Sequence, residues 1–246
     1  MFKKNMKEIE LKLTQIVFQI KNFLFPASCA LCDVSLIGSS EIQNGLCAEC
    51  EASISLYEDK KCSLCGKPLI SETDICLPCR NAGQKSYDRI FTLFPYTGKY
   101  KKLLTEYKFK KNTSIANFFV KKILDVFAQN QILNEAEIVP VPPRKGKIKE
   151  QGWDQVEYLV KTLEKNLSGH KTSRCLKRLK SKVQKNLNRE ERLLNLKGKI
   201  YLDAAPPKTA LIIDDVITTG STMEVCAKAL KDGGAQKVYG LCLFFD

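Results

Sequence analysis

Apolar positions follow two different periods along this chain. Over residues 9–24, Ile9, Leu13, Ile16, Val17, Ile20 and Leu24 recur at helical spacing, while Lys12, Lys21 and the intervening glutamines break any continuous apolar run. The pattern predicts an amphipathic helix too interrupted to span a membrane. Its basic start, Lys3, Lys4 and Lys7, suits either docking onto a protein surface or lying on a membrane surface. From about residue 90 helix and strand periods alternate. Residues 137–141 read as a strand entering Pro142-Pro143, and residues 155–167 as an amphipathic helix through Val156, Leu159, Val160 and Leu163. Further strands are predicted over 200–203, 209–213 and 238–244, with a helix over 223–232 that stops at Gly233-Gly234. This order predicts an α/β fold, a mainly parallel sheet flanked by helices.

The segment ahead of it has a different character. Of eleven cysteines, eight form four CxxC pairs: Cys29/Cys32, Cys47/Cys50, Cys62/Cys65 and Cys76/Cys79. A CxxC turn presents two thiolates to one ion, and two such turns complete the tetrahedral sulfur cage of a structural Zn²⁺. Four pairs therefore predict two zincs, with sequential pairing giving two small ribbons and an interleaved cross-brace the alternative. Disulfides are the competing use. No secretory signal precedes the cysteines, so a cytoplasmic, reducing setting is expected, and that favours metal. Some fifty residues bury little core, which makes the zinc a staple; a ribbon that reads nucleic acid is the sharper alternative. Cys175, Cys226 and Cys242 lack partners at useful spacing and read as small buried hydrophobes. The chain thus divides into a basic N-terminal helix (1–25), a double zinc ribbon (26–80) and an α/β domain (81–246).

Net charge is +13, from 40 basic and 27 acidic residues, which favours anionic ligands. Lys177, Arg178, Lys180, Lys182, Lys185, Arg189 and Arg192 crowd one segment, and a second cluster over 99–111 surrounds Tyr100, Tyr107, Lys108 and Phe109. Basic residues among aromatics fit single-stranded nucleic acid, by phosphate contacts and base stacking; a solvated lysine-rich surface is the plain alternative.

The densest chemistry is Leu211-Ile-Ile-Asp-Asp-Val-Ile-Thr-Thr-Gly-Ser-Thr222. Asp214 and Asp215, at the carboxyl end of a predicted strand, are acceptor-only groups suited to the vicinal diol of a ribose. Thr218, Thr219, Gly220, Ser221 and Thr222 form a hydroxyl-rich turn at a helix N-terminus, where free N–H groups and the helix dipole attract a phosphate. A Walker-B strand and a plain solvated acidic turn are the alternatives. Neither GxxxxGK[ST] nor GxGxxG occurs, so both common nucleotide fingerprints are missing.

This stretch closely resembles the phosphoribosyl pyrophosphate (PRPP) signature of type I phosphoribosyltransferases. The longer pattern resembles the ComF family, whose members include competence proteins of DNA uptake. Besides the CxxC pairs, the likeness rests on Tyr96-Thr97-Gly98, Tyr107-Lys108-Phe109-Lys110, Ile138-Val139-Pro140-Val141-Pro142, Gln151-Gly152-Trp153-Asp154-Gln155, and the Leu176-Lys177-Arg178, Gln184, Leu187, Arg189, Arg192, Asn195 segment. The resemblance implies a double zinc ribbon joined to a phosphoribosyltransferase-like domain that binds PRPP with Mg²⁺. It makes Asp214 and Asp215 the diol ligands and Thr218 to Thr222 the 5′-phosphate loop. Pro142, Pro143 and Arg144 become the pyrophosphate loop, with Lys145 a further clamp, and the basic 171–199 segment becomes a flap carrying Arg189 and Arg192. Partners implied are PRPP, single-stranded DNA and the DNA-uptake machinery; an active phosphoribosyltransferase of unknown acceptor and no DNA role is the alternative. Gln151 stands where the family has arginine, Trp153 where it has phenylalanine, and Asp154 where it has asparagine. Losing the arginine removes a cationic fork, and if that group contacts phosphate its loss weakens pyrophosphate binding. His170, the only histidine, reads as a solvated turn residue rather than a catalyst.

Overall fold

The computed structural model describes residues 26–71, 73–167, 169–179 and 199–246. The helix expected over 9–24, and Lys180, Lys182, Lys185, Arg189 and Arg192 of the expected flap, lie outside the described residues.

Four strands form one parallel sheet in the order β1-β6-β5-β2: β1 Arg89–Pro95, β2 Glu137–Pro140, β5 Thr209–Ile217 and β6 Lys237–Phe245. The central strands β5 and β6 are buried almost throughout, as parallel strands covered on both faces are. Leu211 and Ile213 of β5 join a core with helices α4 (Gly98–Lys108), α5 (Ile115–Gln129) and α7 (Gln155–Asn166). Ala210 and Ile212 point the other way, toward α8 (Ser221–Asp232) and a two-stranded antiparallel pair, β3 (Leu176–Arg178) with β4 (Ile200–Leu202). α5 supplies the bulk of the first core through Phe118 and Phe119, both packed with Phe94.

Two expectations change here. The strand predicted over 200–203 exists as β4, but it pairs with β3 outside the main sheet. Only Ile200 of its three residues is buried, too little apolar surface for a covered strand. The short strand predicted over 209–213 continues to Ile217, because Val216 and Ile217 remain in register with Phe244 and Phe245 of β6.

Ahead of the sheet, three short helices, α1 (Ser39–Asn44), α2 (Ala48–Ser53) and α3 (Leu77–Asn81), accompany two clusters of four cysteines. A fourth short helix, α6 (Lys147–Gln151), precedes α7. The cysteine segment covers the outer edge of β1. Ile90 N–H donates to Leu64 O (2.8 Å), Tyr57 N–H to Leu93 O (2.9 Å) and Lys61 Nζ to Thr92 O (2.7 Å). An open sheet edge would otherwise present unpaired backbone groups to any passing strand. Gly66 stands at the tightest point of this joint, with φ +70°, and a Cβ there would lie 2.4 Å from Ile90 O. Only glycine fits both restrictions. At the opposite edge, β2 is extended by residues 171–173, through Ile138 N–H to Lys171 O and Ser173 N–H to Ile138 O.

Candidate functional site

The eight CxxC cysteines assemble sequentially, Cys29, Cys32, Cys47 and Cys50 in one cluster and Cys62, Cys65, Cys76 and Cys79 in the other, with all ligand atoms of each cluster within 4.8 Å of one another. The cross-brace alternative is thereby removed, and no disulfide joins any of them. Backbone N–H groups point at the sulfurs: Cys65 N and Cys76 N donate to Cys62 Sγ at 3.5 and 3.4 Å, and Leu31 N to Cys29 Sγ at 3.5 Å. Burial opposes ionisation of Cys29 and Cys62, but these donors outweigh it and bring both thiols down to about 7. Burial instead pushes Cys79 up to about 12. Four crowded sulfurs of which only some ionise readily fit a divalent cation, which deprotonates the rest. Each cluster is a four-cysteine site for structural zinc.

Within the sheet, Asp214 and Asp215 sit near the carboxyl end of β5, 9% and 7% exposed. Successive strand residues point to opposite faces. Asp215 meets the α4 and α7 side, where Lys108 Nζ donates to its Oδ2 at 2.6 Å and Gln155 Nε2 to the same oxygen at 2.9 Å; Val216 N–H donates to Oδ1 at 2.9 Å. Asp214 belongs to the α8 side, in register with Cys242 and within the field of Cys226 and Arg178. Its Oδ1 accepts the Asp215 N–H at 2.8 Å. The environments push the two acids apart. Burial and the neighbouring Asp215 raise Asp214 well above the usual carboxylate range, while for Asp215 burial is outweighed by Lys108, which holds it below that range.

Directly after β5 the chain turns through Thr218 and Thr219 to Gly220, whose φ of +75° caps α8. Thr219 Oγ1 and Ser221 Oγ lie 2.8 Å apart, and Ser221 N–H donates to Thr219 Oγ1 at 3.3 Å. Glu224, in the first turn of α8, accepts from Ser86 Oγ at 2.8 Å, which ties the helix start to the segment ahead of β1. The neighbouring strand β2 ends in Val141-Pro142-Pro143-Arg144, with Val141 N–H donating to Ile213 O at 3.0 Å. Proline cannot continue the ladder, so the chain leaves the sheet there. A cleft of about 500 Å³ opens beside this loop, lined by Pro142, Pro143, Arg144, Lys177, Arg178 and Tyr201 among others. Arg144 forms an ion pair with Glu150. Arg178 is different: among the described residues its Nε is buried without a hydrogen-bond partner, and burial lowers its pKa.

Several sequence-predicted residues fall elsewhere. Tyr107 is fully buried and donates its hydroxyl to Gln155 O at 2.6 Å, so it cannot stack on a nucleic-acid base. Lys108 is engaged with Asp215 rather than with an external phosphate. Arg178 turns inward toward Asp214 and Arg144 instead of lying on an open basic surface. Phe109 and Lys177 are exposed. Gln151 is exposed at the end of α6, its carbonyl accepting from Lys111 Nζ at 2.8 Å. Asp154 caps α7, its Oδ1 accepting from Val156 N and Glu157 N at 3.0 Å and its Oδ2 from Lys147 Nζ at 2.6 Å. His170 is no solvated turn residue: it packs edge-on against Phe127, centroids 5.1 Å apart, with both ring nitrogens buried. Sequence reasoning did not connect Lys108 and Gln155 with Asp215. They lie 107 and 60 residues away from it, beyond any spacing rule.

Residues 20–80 match the family model described as a double zinc ribbon domain. Over most of its length the chain is similar to competence protein F of Haemophilus influenzae, 26% identical over 205 residues that cover 80% of this chain and 88% of that protein. It is also similar to competence protein ComFC of Streptococcus pneumoniae, 28% identical with coverages of 78% and 84%. The DNA utilization protein YhgH of Escherichia coli is 26% identical, with coverages of 81% and 96%.

Proposed function

The chain belongs to the ComF family, and on that premise we propose that it binds PRPP with Mg²⁺ at the carboxyl end of its sheet and serves the uptake or processing of DNA. The observation that carries the ligand reading is Arg178. A guanidinium whose Nε is buried unpaired among the described residues is costly, and here it stands beside Arg144 at the proline loop, within the field of Asp214. A pyrophosphate group would neutralise it. Among the described residues no ion pair of Arg178 does so.

The division of labour follows from the reaction type. Transfer at the anomeric carbon of PRPP passes through an oxocarbenium-like state, so a protein contributes by positioning the sugar and stabilising the departing charge. Mg²⁺ supplies part of that charge stabilisation when bound with the pyrophosphate. Arg144 and Arg178 hold the pyrophosphate oxygens, with Lys145 close by. The turn from Thr218 to Thr222 offers hydroxyls and backbone N–H groups to the 5′-phosphate. Asp214 and Asp215 take the ribose hydroxyls at the carboxyl end of β5. The names of the relatives, competence proteins and a DNA utilization protein, support the DNA side of the reading, as does the net charge of +13.

Calorimetry with PRPP-Mg²⁺ tests the ligand. Asp214→Ala with Asp215→Ala should lose roughly 1.5–3 kcal/mol of binding for the ionised Asp215 acceptor and roughly 0.5–1.5 kcal/mol for Asp214, and Arg178→Met roughly 1.5–3 kcal/mol. Unchanged affinity in these variants would reject the site. Titrating labelled single-stranded DNA into the same preparations separates the two roles, since a DNA-handling protein keeps strand binding when PRPP binding is lost.

A further inference from the structure

We propose that the second cysteine cluster backs the 5′-phosphate turn through Tyr87, so that zinc at Cys62, Cys65, Cys76 and Cys79 and a phosphoribosyl ligand at residues 218–222 stabilise each other. The inference rests on the PRPP reading and adds to it a positioning residue and a dependence on one of the two metal sites. Tyr87 lies just ahead of β1 and is 5% exposed. Its hydroxyl reaches the turn itself: a Cβ added to Gly220 would lie 3.8 Å from Tyr87 Oη and 3.7 Å from Ile217 Cδ1. The same side chain stands in the field of the Cys79, Cys65 and Cys62 thiols. Leu64, between the first two ligands of the cluster, packs both against the four cysteines and against the core group that contains Tyr87, Ile217 and Met223. Two polar ties run alongside this contact. Lys67 Nζ donates to Asp246 O, and Asp246 N–H donates at 3.0 Å to the carbonyl of Ile217, the last residue of β5 before the turn. Ser86, next to Tyr87, donates its N–H and its hydroxyl to Glu224 in the first turn of α8.

A phosphate turn of this kind depends on backing. It binds through hydroxyls and N–H groups that must already converge on one point, because each backbone or side-chain rotation frozen on binding subtracts from affinity. Within the turn, Gly220 has a φ of +75° and the Thr219 and Ser221 hydroxyls meet only each other at 2.8 Å, so its shape is fixed largely from outside. The first cysteine cluster is placed differently. Cys29, Cys47 and Cys50 pack with the core that contains Phe118 and Phe119, on the other face of the sheet, and among the described residues no hydrogen bond joins that cluster to the turn. One metal site therefore supports a core, and the other supports the turn. Coupling of this kind is reciprocal: if zinc stiffens the turn, a phosphate held by the turn must in return retain that zinc.

The test uses the zinc-loaded full chain with Tyr87→Ala, Tyr87→Phe and Leu64→Ala, all of which keep the eight ligand cysteines. Calorimetry is run with ribose 5-phosphate, which engages the turn, and with Mg²⁺-pyrophosphate, which engages Arg144 and Arg178. Ribose 5-phosphate affinity should fall about tenfold in Tyr87→Ala and in Leu64→Ala and recover to within about twofold in Tyr87→Phe, while pyrophosphate affinity stays within about twofold throughout. Zinc release to a colorimetric chelator supplies the second readout. Saturating ribose 5-phosphate should slow the release of one of the two zincs from the wild type, and Tyr87→Ala should lose that protection. Equal weakening of both ligands, or equal protection of both zincs, would mark a general loosening and overturn the assignment. Ribose 5-phosphate that binds the wild type without slowing zinc release, and binds Tyr87→Ala as tightly, overturns the backing while the PRPP reading stands. A wild type that binds neither ribose 5-phosphate nor PRPP-Mg²⁺ overturns both.

Discussion

One peptide bond separates Asp214 from Asp215, yet the two carboxylates meet different halves of the molecule and different fates. Asp215 is fixed in its ionised form: burial resists the charge, but Lys108 and Gln155 hold it below the ordinary carboxylate range. The stability it contributes is present above the unfolded value and is lost as pH falls through the lower folded one. Asp214 runs the other way. Burial, with Asp215 beside it, raises its pKa well above the usual range, so its contribution is complete below the unfolded value and is lost as pH rises through the folded one. Asn in place of Asp214 imitates the protonated form. Urea unfolding of Asp214→Asn and wild type should agree at about pH 4 and diverge in favour of the variant toward about pH 7; parallel curves would show that Asp214 is not held neutral. Lys108→Met, by contrast, leaves a buried anion without its cation and should cost about 1.5–3 kcal/mol at neutral pH, with most of the loss recovered in Lys108→Arg.

Among the elements, the contact of greatest consequence is between the second cysteine cluster and β1. Three bonds from the 57–64 region satisfy the outer edge of that strand, so zinc holds in place the cover of the sheet edge. Removing the metal with a strong chelator should speed amide exchange at Tyr57 and Ile90 while β5 stays protected, and exchange that does not change at either position would contradict the coupling. Gly66→Ala provides an independent route to the same joint. It meets both an unfavourable φ and the Ile90 carbonyl, so it should destabilise by more than about 1 kcal/mol, with the metal content of the chain unaltered. α7 shows how a departure from a family pattern can be absorbed locally. Asp154 in place of asparagine performs the same N-capping, since either side chain offers the oxygen that Val156 N and Glu157 N require.

For the molecule as a whole, positive charge is organised rather than uniform. Lys149, Lys161, Arg174 and Lys177 converge on the cleft that also contains Arg144 and Arg178, with Tyr201 and Ile148 as exposed apolar surface between them. If single-stranded DNA uses this cleft, each phosphate contact contributes roughly −0.7 to the slope of log affinity against log salt. Reversing Lys149, Lys161 and Lys177 to Glu should flatten that slope and weaken strand binding, and should leave PRPP affinity at low salt less affected than Arg178→Met does. An unaltered slope would move DNA binding away from this surface.

Local patterns in the sequence determined much of this protein. CxxC spacing requires only adjacent residues, so both metal clusters were legible at once, and periodicity marked β5, β6, α7 and α8 because each buries a face whose rhythm is local. The glycine turn between β5 and α8 was legible for the same reason. Tertiary structure alone decided which thiols share an ion, since two pairings satisfy the same spacing, and which lysine neutralises Asp215, since that partner comes from a helix 107 residues away. It also decided that Tyr107 faces inward while Phe109 faces out. A basic, aromatic run on paper carries no mark of its buried side, and the direction of each side chain is settled only when α4 packs against the sheet and turns one face of the helix into core.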